Sequence, residues 1–347
     1  MRTNSLSALH VTAFVMLFLF VLLPCAEAQP GEVSKEERAQ AAKIAVQITD
    51  NIFGPDGQEQ IKHTPPDQIS VLRRVSVADP KNIKLHFALY FYEMLAENRK
   101  AALKEIEAAY NLSGKDPQYL MSYVLALKMN WQPIKARDLL ASYSAEHGKP
   151  LEIEAQVAQF NVVIQEYAAA LPVFQRWLKE RSDAVPVEET TILLHQGTSQ
   201  LYLGQTEKAI ATLKKAIKAY PKNELAKGEC SIAMVKSGDP KGALDFLEKE
   251  YRGHYAGEIL YYKGVALEAL GKGADAKSVY SKALKIGEED LKISDDNGKD
   301  HFFLSLICGK LGLEEKAKSY KSNATLLHFT FEAPNSTNAL KSPDPGK

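Results

Sequence analysis

Along residues 83–327 apolar side chains recur at intervals of three and four, as at Leu193, Leu194, Leu201 and Leu203. That is the period of a helix with one buried stripe, and strand-type alternation is lacking throughout. The helical stretches are short, and their punctuation repeats. Four segments run from a Gly to an Ala five residues on: Gly204 to Ala209, Gly238 to Ala243, Gly271 to Ala276 and Gly312 to Ala317. The same Ala traces back through Ala169, Ala136 and Ala102, giving successive spacings of 34, 33, 40, 34, 33 and 41. Small residues suit the place where two helices cross closely. A Gly just past a helix takes the left-handed conformation at little cost. The pattern predicts helix–turn–helix units of about 34 residues. Each unit leaves an apolar face open, and stacking the next unit buries it.

The best unit is Thr190 to Asn223, with Leu193, Gly197 and Leu201 on its first helix. Gly204 stands at its turn, Ala209, Leu213 and Ala216 follow on the second helix, and Pro221 closes it. Gly257 to Gly287 repeats the scheme through Leu260, Gly264, Leu267, Gly271, Ala276, Tyr280 and Ala283. On these residues the chain resembles the tetratricopeptide repeat family, over roughly 83–327. It departs from the family pattern in lacking the first-helix Trp, and units before Thr190 lack the turn Gly. The resemblance implies an all-α fold, an α-solenoid of stacked helix–turn–helix repeats in a right-handed superhelix, with about seven units over 83–332.

Residues 34–80 read as a degenerate first hairpin. Ser34 and Glu37 fit a capping box, Ile44, Ile48 and Ile52 mark an inner face, and Gly54-Pro55-Asp56-Gly57 breaks the helix. Leu72 and Val75 point inward on a second helix. Residues 333–347, rich in Pro, Ser, Asn and Asp, read as a disordered tail. Residues 1–28 read as a signal peptide: Arg2, a 13-residue run from Val11 to Leu23 that is apolar apart from Thr12, and Ala26-Glu27-Ala28 before the cut. A run of that length covers about 20 Å as a helix, short of a bilayer core. The chain is therefore expected to be secreted or periplasmic, cleaved after Ala28. Lipid attachment at Cys25 is the competing reading, with Pro24 where a small residue is wanted.

Composition narrows the functions. Of 347 residues 45% are apolar, and 43 Lys and Arg balance 43 Asp and Glu. Such neutrality argues against nucleic acid, whose binding needs many neutralised phosphates. Three cysteines make no disulfide framework, and Cys230 and Cys308 fall at apolar helix positions. Phosphate-loop, dinucleotide, nucleophile-elbow and helical zinc motifs are missing. The histidines are scattered with no pair three or four apart. The acidic run Asp295 to Asp300 has the wrong offsets for a calcium loop. No catalytic, cofactor-binding or metal residues are therefore assigned. Sequons stand at Asn111, Asn323 and Asn335.

The resemblance places the first helix of each unit on a concave face. Its outward positions carry Phe87, Phe91 and Met94, then Met121 and Leu125, Leu194, Thr198 and Tyr202, Tyr261 and Val265, and Phe302 and Phe303. The Lys and Asn of the family's carboxylate-clamp members are absent there. Such a stripe serves either packing between units or an apolar groove for a protein or peptide partner. On the second reading Tyr202→Ala and Tyr261→Ala weaken capture and leave stability nearly unchanged. The expected function is an exported, non-enzymatic scaffold. The alternative is a membrane-tethered assembly factor for envelope or polysaccharide-export machinery.

Overall fold

The computed structural model describes residues 33–53, 66–181, 186–252, 257–292, 297–327 and 329, and every regular element among them is a helix. The segment expected to be a signal peptide (1–28), the helix break expected at Gly54 to Gly57 and the tail expected over 333–347 lie outside the described residues. The chain divides into two compact units, Met1–Tyr92 and Glu93–Lys347.

The first unit holds α1 (Lys35–Phe53), α2 (Pro66–Ala78) and most of α3 (Ile83–Leu95). Ser34 and Glu37 exchange capping bonds: Ser34 N donates to Glu37 Oε2 at 3.0 Å, and Glu37 N donates to Ser34 Oγ at 3.1 Å. Arg74 of α2 pairs with the same Glu37. Ala41, Ile44 and Ile48 of α1 meet Leu72 and Val75 of α2 and Leu85 and Leu89 of α3 in one core.

The second unit continues with α4 (Arg99–Leu112), α5 (Pro117–Met129), α6 (Pro133–Glu146), α7 (Leu151–Val163), α8 (Tyr167–Glu180), α9 (Pro186–Tyr202) and α10 (Thr206–Ala219). It ends with α11 (Glu224–Lys236), α12 (Pro240–Glu250), α13 (Gly257–Ala269), α14 (Gly273–Asp290), α15 (Gly298–Lys310) and α16 (Glu314–Leu326). Each helix from α4 onward packs on the next, and α7, α9, α11, α13 and α15 also touch in succession. The first helices of the pairs thus form one layer and the second helices another.

Close crossing fixes the pairs. Ala102, Ala136, Ala170, Ala209 and Ala243 are wholly buried, and Ala276 nearly so. In the fourth of these pairs from the C-terminus the crossing residue is Ala170, because Ala169 faces solvent. A β-carbon on Gly197 would come 2.6 Å from Leu213, and one on Gly264 2.3 Å from the Tyr280 ring.

Among the described residues, the turns inside pairs, from the one before α4 onward, share one form. Gly204, Gly238, Gly271 and Gly312 are left-handed there, at φ between 74° and 87°. So are Glu97, Trp131 and Gln165, at φ 57°, 49° and 67°. The closing bond recurs as well. Asn98, Gln132, Glu166, Gln205, Asp239, Lys272 and Leu313 each donate N–H to the carbonyl five residues back, at 2.7–2.9 Å.

Candidate functional site

The first-helix layer brings aromatic and charged side chains together between α8 and α15. Helix periodicity sets them on one side: Glu229 and Lys236 are two turns apart on α11, Glu258 and Tyr262 one turn apart on α13, and Lys299 and Phe303 one turn apart on α15. Tyr202, the last residue of α9, stacks on Tyr167 at the start of α8, with ring centroids 4.9 Å apart and planes 8° from parallel. Its hydroxyl donates to Glu258 Oε1 at 2.7 Å. The other oxygen of Glu258 pairs with the Lys299 ammonium. Lys236 extends over the faces of Tyr202 and Tyr262, at 4.8 and 5.7 Å from their centroids, a cation–π arrangement.

Crowding shifts the ionisable groups. Burial, and then the neighbouring Glu258, pushes the Glu229 carboxyl up to about 7, while Lys299 and Lys236 pull the other way. Burial draws the Lys236 ammonium down against the pull of Glu258 and Glu229. Burial also works against Lys299, but Glu258 and Glu229 outweigh it and hold that ammonium above the usual lysine range. Asp300 is raised to about 6, first by burial, with Asp290 and Glu258 adding to it. Asn297 Nδ2 donates to Asp300 at 2.6 Å. The charge of Lys299 reaches the Tyr167 phenol from four helical pairs away. The stack must curve for those groups to share one recess.

The positions expected to line a groove divide. Phe87, Leu194, Thr198 and Phe303 are buried, turned into the packing between helices. Phe91, Met94, Met121, Tyr202, Tyr261, Val265 and Phe302 are half-buried, and Leu125 is exposed. Tyr261 lies 5.9 Å from Phe303 and 5.2 Å from Tyr262, at the edge of the recess. Phe302 packs on Phe329, centroids 5.3 Å apart. Tyr202 is tied down by its bond to Glu258, a contact that its truncation would remove. From α9 to α15 the lining is charged and hydrogen-bonded rather than simply apolar. Tyr167, Glu229, Lys236, Glu258, Tyr262 and Lys299 were missed, and the signal was available: two charges seven apart on a first helix mark one face of it. Among the described residues, no three His, Cys, Asp or Glu side chains are grouped to hold a metal ion. Among them too, no helix is long and apolar enough to cross a membrane.

A profile of the tetratricopeptide repeat matches residues 192–223, most of α9 and all of α10. Among solved structures, a tetratricopeptide repeat protein from Parabacteroides merdae is 13% identical and aligns over 81% of this chain and 99% of its own, with a TM-score of 0.57. A human IFIT1 dimer with PPP-AAAA is 16% identical over 75% of this chain and 68% of its own, with a TM-score of 0.44. YrrB, a repeat protein with an unusual peptide-binding site, is 13% identical over 58% of this chain and 97% of its own, with a TM-score of 0.40. No curated protein is significantly similar in sequence. Residues 192–223 thus match a tetratricopeptide repeat, and the close-crossing helical pairs stack in an α-solenoid fold like that of the Parabacteroides merdae repeat protein.

Proposed function

We propose that the chain is an exported, non-enzymatic adaptor whose first-helix layer in residues 93–347 receives a segment of a partner protein. One observation carries this reading: the recess from Tyr167 to Lys299 combines aromatic faces with three charged side chains, Glu229, Lys236 and Lys299, that keep partial contact with solvent. Packing alone does not call for charged side chains there, whereas a polypeptide offers ring, backbone and side-chain partners for all of them. Balanced charge supports a protein rather than a nucleic-acid partner.

Photocrosslinking in the native host tests the adaptor. Benzoylphenylalanine replaces Tyr261 at the edge of the recess and, as a control, Lys215 on the exposed side of α10. The expected result is one discrete crosslinked partner from Tyr261 and none from Lys215. Crosslinking from Lys215 alone, or from neither, overturns the reading. Export is tested separately by sequencing the mature N-terminus, expected at Gln29, and by fractionation. Retention with membranes would favour tethering at Cys25 and the assembly-factor alternative.

A further inference from the structure

The recess leaves one charged group unserved. Glu258 is satisfied twice, by Tyr202 Oη and by Lys299, and Asp300 is held by Asn297. Glu229 has no such donor. Its Oε2 is shielded from solvent and no hydrogen-bond partner reaches it. A buried acceptor in that state has its lost hydration uncompensated, all the more when it is ionised. The side chain as a whole stays partly open, so a group entering the recess can approach its carboxyl.

Charge balance says which kind of group fits. Three acids, Glu229, Glu258 and Asp300, face two bases, Lys236 and Lys299. With Glu258 and Lys299 paired, Glu229 and Asp300 remain against Lys236, one negative charge in excess; Asp300 is already held by Asn297, whereas Glu229 Oε2 has no donor. The walls already accept a cation, since the Lys236 ammonium rests on the Tyr202 and Tyr262 rings. A neutral donor would fill the missing hydrogen bond without balancing the charge, and an acidic side chain would meet like charges.

We propose that Glu229 recognises a basic side chain, lysine or arginine, on the polypeptide segment that enters the recess. This rests on the adaptor reading and names its specificity. The carboxyl titrates near neutrality because of burial and Glu258, so proton and ligand cation compete for it. The groups facing it are Tyr167 from α8, Tyr202 from α9, Lys236 on its own helix, Glu258 and Tyr262 from α13, and Lys299 from α15.

The test uses the full chain and three peptides, acetyl-Ala-Leu-X-Leu-Ala-amide with X as Lys, Gln or Glu, titrated calorimetrically at about pH 8 and about pH 6. At the higher pH the Lys peptide is expected to bind about tenfold more tightly than the Gln peptide. At the lower pH the preference shrinks as Glu229 takes up its proton. Glu229→Gln removes the preference and Glu229→Asp keeps part of it, with folding checked by circular dichroism. Equal binding by all three peptides, no binding by the Lys peptide at millimolar concentration, or a preference that survives Glu229→Gln overturns the proposal. Crosslinking at Tyr261 without a Lys preference sinks this assignment and leaves the adaptor standing. Failure of crosslinking sinks the adaptor itself.

Discussion

The Tyr202 hydroxyl donates to Glu258 Oε1 at 2.7 Å across 56 positions of sequence, joining the end of α9 to the start of α13 past the intervening α11. A hydrogen bond to a carboxylate is worth about 1.5–3 kcal/mol. Tyr202→Phe should lower stability by about that much, because its ring can still stack on Tyr167. Tyr202→Ala should cost more, since it forfeits the stacking and the cation–π contact as well. Urea denaturation measures both. An unchanged midpoint for Tyr202→Phe would mean that the bond is replaced by water.

Two glycines separate packing from propensity. A methyl at Gly264 would strike the Tyr280 ring, and Gly264→Ala is expected to destabilise by about 1–3 kcal/mol through overpacking. Gly309 lies inside α15 with nothing within 4 Å of an added β-carbon. Gly309→Ala should therefore stabilise, by up to about 1 kcal/mol, through helix propensity alone. Thermal melts of the two variants should move in opposite directions.

Left-handed backbone at Glu97 makes a third case. The residue is exposed at φ 57°, a conformation that costs an ordinary residue about 1–2 kcal/mol. Glu97→Gly should raise the denaturation midpoint. The same change at Glu105, inside α4, should lower it.

Two half-buried groups push the pH dependence of stability in opposite directions. Glu229 binds its proton more tightly when folded, at about 7 against a usual 4.5. Its contribution is therefore present below pH 4.5 and is lost as pH rises towards 7. Glu229→Gln should stabilise the fold at alkaline pH more than at acid pH. His195 behaves in reverse. Burial, assisted by Lys128, lowers it from 6.5 to about 4, so stability falls as pH drops from 6.5 towards 4. His195→Gln should flatten that acid limb. Denaturation midpoints collected across the pH range read out both.

The repeat was legible where chemistry left one option. At Gly204, Gly238, Gly271 and Gly312 the left-handed turn is written as glycine, and the 34-residue period follows from those positions and the buried alanines. At Glu97, Trp131 and Gln165 the backbone does the same with a side chain attached, so the N-terminal turns left no mark in composition. The off-by-one reading at Ala169 has a related cause, since Ala168, Ala169 and Ala170 differ only in the direction they face. The recess was less legible. Glu229, Glu258 and Lys299 look like ordinary solvated charges one helix at a time, and only curvature of the stack brings them together. Tyr202 and Tyr261 were found because aromatic residues on a helix face stand out. Tyr167 was not, because it opens a second helix and only its stacking on Tyr202 turns it towards the recess.

Cys230 and Cys308 lie unpaired in the interior of α11 and α15. Burial raises both thiols, Cys230 to about 11, so the reactive thiolate is scarce as well as hidden. Oxidants and alkylating reagents can reach these sulfurs only after neighbouring helical pairs separate. Each cysteine is thus a built-in clock for the breathing of its own part of the array. The ratio of their labelling rates would show whether the solenoid frays from its C-terminal end or parts in the middle.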